Sequence, residues 1–368
     1  MALFEDDPLF NSGHGAVFTR DGINELEASV MVSRGFAKRT AAVAGLRRVR
    51  NPILLARGML EHGDADLAAG VRSSAPTAQD GAAVARDLDV PSARGHTLLY
   101  GEAAETLARL YGLEMVEPGY FFTQTRWDEH VRGLERERRG GGLASWSAEE
   151  YLPQGTVGAI ALDEDGIVCC ATSTGGLTNK LTGRVGDTPT AGAGFWAEEW
   201  LEHGGLTGMS KGRAEPAVSL SDTLKGIMAD CWPAPFAYTP VPGQADVRLV
   251  TTRSIALSGT GNGDSFLRVA AARTVAAIAR FAGTSGRVAL TRVAGPSGEL
   301  QQSAGDRWGK TGEGEGGIIG IECAIVRDGN GAVVETRSEI LQDFNCGGMF
   351  RAWIGNNGEA QVRIWREE

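Results

Sequence analysis

The most constraining feature of this sequence is the change in composition at Gly155. Residues 139–155 are rich in glycine and polar side chains, which is typical of a flexible linker. An apolar run begins directly afterwards with Thr156, turns at residues 163–166 and returns as a second apolar run at 167–172. Two apolar runs separated by a short turn predict a β-hairpin. The chain therefore has to fold so that a flexible segment ends where a buried strand begins.

The composition excludes several classes of protein. With 42% apolar and 22% charged residues the chain is not disordered, and its apolar runs are too short to span a membrane. The net charge of −10 argues against a nucleic-acid-binding surface, because phosphate contacts need clustered Lys and Arg. Glycine, at 52 of 368 residues, is about twice as frequent as usual and has no collagen period. Many backbone positions therefore need conformational freedom.

Cysteine and histidine usage predicts a cytoplasmic protein without a zinc site. The cysteine count is odd and no Cys-x-x-Cys pair occurs, which argues against a disulfide framework or a zinc site. None of the five histidines has the spacing found in zinc hydrolases, and they offer little basis for a histidine triad. The first residues lack the basic and apolar segments of a secretory signal, so we expect a cytoplasmic location.

Periodicity and turn signals predict the remaining elements. Asn51 and Pro52 have the features of an N-cap and a first helical residue, so a helix is expected from there to about His62. Residues 201–250 show no strong periodicity and contain five prolines, which indicates a long insertion. Further helices are predicted at 102–111, 126–138 and 265–280, and strands at 255–258, 316–326 and 332–336.

Thr156 is open to two interpretations. A threonine at a new N-terminus is a good nucleophile, because its own α-amine, with an ordinary pKa of about 7.7–8.0, is a base beside the hydroxyl. The preceding Gly155 has an unhindered carbonyl and a backbone that tolerates strain. The alternative is that Thr156 is simply a β-branched residue of the strand. Spacing alone does not decide between them.

Two glycine-rich segments carry the other candidate groups. Arg184 and Asp187 lie three residues apart in a loop, where a fixed cation and anion could bind both charged groups of an α-amino acid. A salt bridge within the loop is the alternative. Residues 259–263 form a glycine-rich turn between a predicted strand and a helix, and their backbone amides could stabilise an oxyanion. A tight turn that needs glycine is the alternative there.

Together these motifs resemble the N-terminal-nucleophile hydrolases of the plant-type asparaginase (isoaspartyl peptidase) family. The resemblance implies an α/β (α+β) fold, a four-layer αββα sandwich forming one domain over residues 1–368. It also implies self-cleavage between Gly155 and Thr156 into chains of residues 1–155 and 156–368. The matching segments, in chain order, are 5–15, 51–52, 101–102, 114–116, 155–159, 172–176, 183–187 and 345–353.

The resemblance assigns the reaction to four residues. Thr156 would attack the side-chain amide of L-asparagine or the isopeptide carbonyl of a β-aspartyl dipeptide. Thr174 would orient that nucleophile by a hydrogen bond. The Thr260 hydroxyl and the Gly261 N–H would hold the oxyanion.

The resemblance also implies the substrate-binding residues and the assembly. Arg184 would bind the α-carboxylate and Asp187 the α-amine, while Gly263 would line the site. Asn11 matches a family residue near the nucleophile. The partners implied are small-molecule or dipeptide substrates and a second copy of the αβ unit in a homodimer.

A structural sodium ion is a further implication of the resemblance. It would be held by backbone carbonyls in the loop from Phe4 to His14. The carbonyl oxygens that would bind the sodium ion are those of Phe4, Glu5, Asp7, Phe10, Ser12 and His14. No cofactor is implied for catalysis.

The chain departs from the family pattern at two points. It begins after the first strand and the His-Gly-Gly-Ala-Gly loop of the family, which puts self-cleavage in question, and Asn262 replaces a usual Thr or Ser. Glycosylasparaginases have Asp before the nucleophile and Thr-Asn-Gly where this chain has residues 174–176. Glycosylasparaginase activity and an uncleaved, non-catalytic homologue that binds amino acids are therefore the alternatives.

Overall fold

The computed structural model describes residues 1–34, 37–68, 92–139, 155–203, 205, 249–355 and 357–366. The predicted linker at 139–155 and the predicted insertion at 201–250 lie largely outside the described residues, and only their ends are placed. Within the described ranges, no helix is both long and apolar enough to cross a membrane.

Two sheets, antiparallel except at strand β3, form the centre of the molecule. Sheet A has the strand order β3-β2-β1-β5-β4, and sheet B has the order β6-β7-β8-β9. The strands of sheet A are β1 (Leu26–Arg34), β2 (Ala37–Leu46), β3 (Leu98–Tyr100), β4 (Val157–Leu162) and β5 (Val168–Thr174). Those of sheet B are β6 (Phe195–His203), β7 (Val250–Gly261), β8 (Gly316–Arg327) and β9 (Val333–Phe344), and a separate hairpin is formed by β10 (Arg351–Ile354) and β11 (Ala360–Arg363). Only β3 runs parallel to its neighbour in sheet A.

Helices cover the outer faces of both sheets. The long helices pack in two groups, one on each sheet, so the order of layers is helix, sheet A, sheet B, helix. The helices are α1 (Ala2–Asp6), α2 (Pro52–Ala68), α3 (Gly101–Leu110), α4 (Gln124–Arg138), α5 (Gly263–Val269), α6 (Ala271–Phe281), α7 (Gly286–Ala294) and α8 (Glu299–Ser303). Short 3-10 turns lie at Gly13–Gly15, Pro118–Phe121 and Gly305–Arg307. The expected four-layer αββα sandwich is confirmed.

Three apolar clusters fill the spaces between these layers. One joins α2 and α3 to sheet A, with Leu26, Leu55 and Leu107 fully buried. A second lies between sheet B and helices α5 to α8, and a third, with Met31 and Phe195, lies between the two sheets. Strand β1 is buried along most of its length, because it is covered by helices on one face and by sheet B on the other.

The boundaries of several elements differ from the sequence predictions. Strand β6 was not predicted, and residues 201–203 belong to it rather than to the insertion. Strand β7 is 12 residues long, although its apolar pattern predicts only 255–258. The helix predicted at 265–280 is two helices, because Ala270 has a left-handed conformation with φ of 46° that interrupts it. Helix α2 starts as predicted at Pro52 but continues beyond His62 to Ala68.

A buried carboxylate joins both sheets to a helix, and its removal has a predictable effect on stability. The Glu198 side chain of β6 is fully buried and contacts Lys38 at 3.2 Å, Arg273 at 3.0 Å and Arg280 at 2.9 Å. Substitution of Glu198 by glutamine should lower the free energy of unfolding by about 2–3 kcal/mol, because three cations lose their shared anion. Urea unfolding measures the change. Glu335→Gln, at an exposed position of β9, should change it by less than about 0.5 kcal/mol. Equal stability of the two variants would contradict the prediction.

Candidate active site

The ends of β4 and β5 place the predicted nucleophile beside a second hydroxyl group. The two strands pair antiparallel with Val157 opposite Ser173. One residue further along this register, Thr156 lies opposite Thr174, which ends β5. The register of this hairpin therefore brings together two threonines that are 18 positions apart in the sequence.

Sheet B supplies further hydroxyl groups to the same place. Ser258 and Thr260 are two residues apart on β7, so their side chains share one face. Ser258 Oγ lies 2.8 Å from Thr172 Oγ1 of β5, which is a hydrogen bond between the two sheets. Thr172 and Ser258 are both buried. The hydroxyl groups of β5 and β7 thus meet across the interface between the sheets.

Gly158 allows this close approach of the sheets. A Cβ atom at Gly158 would lie 2.2 Å from Ser258 Oγ and 3.0 Å from Ser258 Cβ, so a larger residue there displaces the Ser258 side chain from its bond with Thr172. We expect Gly158→Ala to lower the free energy of unfolding by about 1–3 kcal/mol, as measured by chemical denaturation. Gly119→Ala is the matched control, because a Cβ there meets nothing within 4 Å. Wild-type stability of Gly158→Ala would show that the sheets are not packed this closely.

Thr260 lies next to the predicted cleavage site. A Cβ atom on Gly155 would lie 3.1 Å from Thr260 Oγ1. Gly155 and Thr156 are half-buried at this point. The residue before the predicted nucleophile is therefore close to a hydroxyl group from the other sheet.

The backbone of Gly261 is oriented by the pairing of β7 with its neighbours. N–H groups of successive residues in an antiparallel pair point to alternate sides. Asn262 donates its N–H to the Glu315 carbonyl at 2.8 Å, and Gly259 donates to the opposite side, to Gly194 at 2.7 Å. The Gly261 N–H therefore points away from β8. A side chain at Gly261 is excluded, since its Cβ would lie 2.4 Å from the Glu315 oxygen.

The start of helix α5 brings Arg184 and Asp187 together. A Cβ atom on Gly263 would lie 2.5 Å from Asp187 Oδ1 and 3.0 Å from Arg184 Nη2. Both charged groups therefore face the same point, and only glycine fits there. The ion pair that Arg184 makes is with Asp264, at 3.1 Å. The predicted pair of charges is thus arranged around Gly263.

Asp187 has an unusual electrostatic environment. Its side chain is buried, and among the described residues its Oδ2 has no hydrogen-bond partner. Burial, followed by the nearby charge of Glu27, raises the pKa of Asp187 to about 7. Arg184 opposes this shift without cancelling it. A buried carboxyl that titrates near neutral pH and lacks a partner is typical of a ligand-binding position.

Asn11 holds the turn that follows Thr174. Its side-chain amide donates to the Gly176 carbonyl at 2.8 Å, and its backbone carbonyl accepts a hydrogen bond from the Gly175 N–H at 2.9 Å. The Gly176 N–H in turn donates to Thr174 Oγ1 at 3.0 Å. Asn11 therefore lies at the predicted site and fixes the backbone beside Thr174.

The N-terminal loop packs directly behind β5. The Glu5 side chain is fully buried, and its carboxylate accepts hydrogen bonds from Ser173 Oγ at 2.6 Å and from the Ile53 N–H at 3.0 Å. Burial raises the pKa of Glu5 to about 7. Glu5, in helix α1, thus links the start of α2 to Ser173, the residue that precedes Thr174.

The backbone carbonyls of this loop are closely spaced. A Cβ on Gly13 would lie 2.1 Å from the Glu5 oxygen, and one on Gly15 would lie 2.1 Å from the Phe10 oxygen. Three of the six carbonyls predicted to bind sodium already accept hydrogen bonds: Phe4 from Ser12 Oγ, Asp7 from the Phe10 N–H, and Ser12 from the Gly15 N–H. Among the described residues, no group of three or more His, Cys, Asp or Glu side chains could hold a metal ion.

Comparison with known proteins identifies the family. The asparaginase family model matches residues 1–82 and 78–209, more than half of the chain. This chain belongs to the asparaginase family. The isoaspartyl peptidase of Escherichia coli strain K12 is 31% identical to it over 371 residues, covering 100% of this chain and 80% of that protein. The plant-type L-asparaginase of Pyrococcus furiosus is 35% identical over 229 residues, covering 60% of this chain and 61% of that protein. The family resemblance expected from the motifs is confirmed.

The asparaginase motifs did not reveal every residue of this site. Ser258 and Thr172, which join the sheets, were missed because their contact depends on how the sheets are packed. Glu25 and Glu27 were also missed, although residues two apart at the start of an extended segment such as β1 lie on one face. Lys180, buried beside them, lies in a loop that has no periodicity.

Proposed function

We propose that this chain is a self-cleaving threonine hydrolase that acts on L-asparagine and on β-aspartyl peptides. The observation that carries the proposal is the position of Thr156 at the start of a hairpin, where the register sets it opposite Thr174 and the preceding Gly155 lies near Thr260 Oγ1. The names of its relatives, isoaspartyl peptidase and plant-type L-asparaginase, support the same substrates.

Self-cleavage would create the nucleophile. Thr156 Oγ attacks the Gly155 carbonyl carbon, the peptide C–N bond breaks, and the acyl group moves from nitrogen to oxygen. This shift frees the α-amine of Thr156, and water then hydrolyses the resulting ester, which releases the Gly155 carboxylate and restores the Thr156 hydroxyl group. The described position of Thr260 Oγ1 near Gly155 would place a hydroxyl group beside the reacting carbonyl.

The same residues would then act on the substrate. The freed Thr156 amine takes the proton from Oγ, which attacks the side-chain amide carbon and releases ammonia or, from a β-aspartyl peptide, an amine. The Thr260 hydroxyl and the Gly261 N–H would stabilise the oxyanion, since the register directs that N–H out of the β7–β8 ladder. Thr174 would orient the nucleophile, and water would hydrolyse the acyl-enzyme to aspartate.

The charged groups around Gly263 would hold the amino-acid part of the substrate. The guanidinium of Arg184 suits a carboxylate, because it can donate two parallel hydrogen bonds. The buried Asp187 would pair with the α-ammonium group, which would supply the partner that its Oδ2 lacks among the described residues. Gly263 leaves the space between them open.

A gel and a three-substrate assay test this proposal. Denaturing electrophoresis should show the whole chain converting into two pieces of residues 1–155 and 156–368. The cleaved protein should hydrolyse L-asparagine and β-aspartyl-leucine faster than N-acetylglucosaminyl-asparagine. Preference for the last substrate would favour the glycosylasparaginase alternative. An intact chain without activity would favour the non-catalytic alternative.

We also propose that the loop from Phe4 to His14 binds a structural sodium ion. Backbone oxygens are ligands that hard cations accept, and the carbonyls of Glu5 and Phe10 face into the tight turns at Gly13 and Gly15. The ion would stabilise the loop behind β5 and take no part in the chemistry. Thermal unfolding in sodium chloride, compared with choline chloride at equal ionic strength, tests this assignment.

Three further expectations accompany the proposal. No cofactor takes part in the reaction as written. A homodimer of αβ units is expected from the family resemblance, and the mass in solution by light scattering tests it. A cytoplasmic location stays a prediction from the cysteine usage.

A further inference from the structure

Two carboxylates on β1 hold the loop that carries Arg184 and Asp187. Glu25, directly before the strand, and Glu27 lie two residues apart, so they share a face. Glu25 Oε2 accepts the Gly183 N–H at 2.7 Å, and Glu27 Oε1 accepts the Gly186 N–H at 3.0 Å. The backbone is therefore fixed on both sides of Arg184 and directly before Asp187.

Glu27 differs from Glu25 in its partners rather than in its burial. Both residues are 1% exposed, but Glu27 Oε2 has no hydrogen-bond partner among the described residues. Glu27 pairs in the sheet with Thr174, so it also lies beside the proposed reaction centre. Glu25, by contrast, forms an ion pair at 2.7 Å with Arg47, whose side chain is 44% exposed. Of the two carboxylates, Glu25 thus has the closer ion-pair partner, whereas the nearest cation to Glu27 is Lys180, at 4.0 Å.

The charges around Glu27 leave an excess of negative charge near Asp187. The cations that face it are Lys180, at 4.0 Å, and Arg184. Lys180 Nζ donates to the Glu25 backbone carbonyl, and Arg184 is paired with Asp264. The anions are Glu25 and Asp187. Two buried carboxylates therefore lie close together, and each has an oxygen without a partner.

We propose that Glu27 is a positioning residue that fixes the Gly183–Asp187 loop and sets the charge of the Asp187 subsite, making that subsite selective for substrates with a cationic α-amino group. This inference rests on the proposed function. Glu27 is the largest charged influence on the pKa of Asp187, and it raises that pKa. An α-ammonium group bound at Asp187 would offset the repulsion between the two carboxylates, whereas a neutral substrate would not.

Glu27→Gln tests the proposal with little change in shape. The amide oxygen still accepts the Gly186 N–H, but the negative charge is gone. KM for L-asparagine should be measured from about pH 5 to 7.5, where the substrate amine stays protonated. The wild-type KM should rise as the pH falls and Asp187 gains a proton. In Glu27→Gln the midpoint of that rise should move down by about one pH unit, with kcat near neutral pH within about threefold of wild type.

Two comparisons separate this role from a merely structural one. Glu25→Gln, which also keeps its loop hydrogen bond, should leave the midpoint unchanged. KM for succinamic acid, which is asparagine without the α-amine, should show no such midpoint in any variant. An unchanged midpoint in Glu27→Gln, or an equal shift in Glu25→Gln, overturns the proposal.

Failure of the proposed function can be distinguished from failure of this inference. If the wild-type protein hydrolyses none of the three substrates, calorimetric titration with L-aspartate still reports the subsite over the same pH range. If Glu27→Gln does not fold, Glu27→Asp keeps the charge with a shorter reach and should retain the wild-type midpoint while KM rises. A midpoint for Glu27→Asp that moves down instead would overturn the proposal.

Discussion

Replacement of Thr156 by alanine should leave the protein as one uncleaved species of 38.8 kDa without hydrolase activity. Wild-type protein should instead give pieces of about 16 and 22 kDa, in proportion to the 155 and 213 residues on either side of the scissile bond. The reason is that the hydroxyl group of Thr156 is the proposed nucleophile in both reactions. Electrophoresis over several days and ammonia release measure the two effects.

Two variants control this result. Thr156→Ser retains a hydroxyl group and should cleave itself, though more slowly, because it lacks the methyl group that fixes the rotamer. Thr336→Ala removes a hydroxyl group at an exposed position of β9, outside the site, and it should still cleave. Complete cleavage of Thr156→Ala at the same bond would show that another group is the nucleophile.

Substitution of Asp187 by asparagine should lower kcat/KM for L-asparagine by about 30-fold or more, mainly through KM. The variant keeps the shape of the side chain but loses the buried anion proposed to pair with the α-ammonium group, and such pairs contribute about 2 kcal/mol or more. Steady-state kinetics measure the change. Asp264→Asn is the matched control, because Asp264 is 58% exposed and pairs with the same Arg184, and its effect should be about threefold or less.

The direction in which KM changes with pH follows from the Asp187 carboxyl group. Its pKa of about 7 lies above the ordinary value for aspartate, so the folded protein favours the protonated form. Substrate binding needs the ionised form, and KM should therefore rise as the pH falls through 7. Asp187→Asn should lose this dependence. A KM that does not change with pH in the wild-type protein would show that the Asp187 carboxyl does not titrate in this range.

The sequence motifs name the candidate site residues but not the residues around them. Thr156, Thr174, Arg184, Asp187 and Gly263 all lie in short motifs, and each motif carries its own glycines. Local pattern could therefore place each of them on a turn or a strand end. It could not show which segments meet across the two sheets, since that depends on how the sheets pack.

The elements that were predicted wrongly share a physical cause. Strand β6 and the ends of β7 contain charged residues such as Glu198 and Arg253, which look exposed in a sequence. In the folded protein these charges are buried against partners from other elements, at Lys38 and Glu322 among others. The break at Ala270 was likewise invisible, because alanine normally favours the right-handed helix.

By itself, the sequence determined that a hairpin beginning with a threonine follows a glycine-rich linker, and that the chain belongs with the asparaginases. These are local properties, carried by residue type and spacing. Only the tertiary structure decided that Glu27 holds the Gly186 N–H directly before Asp187 and that Ser258 meets Thr172. These contacts join residues 159 and 86 positions apart, and such distances close only in the folded chain. The electrostatic character of the site, unlike its list of residues, is therefore a property of the fold.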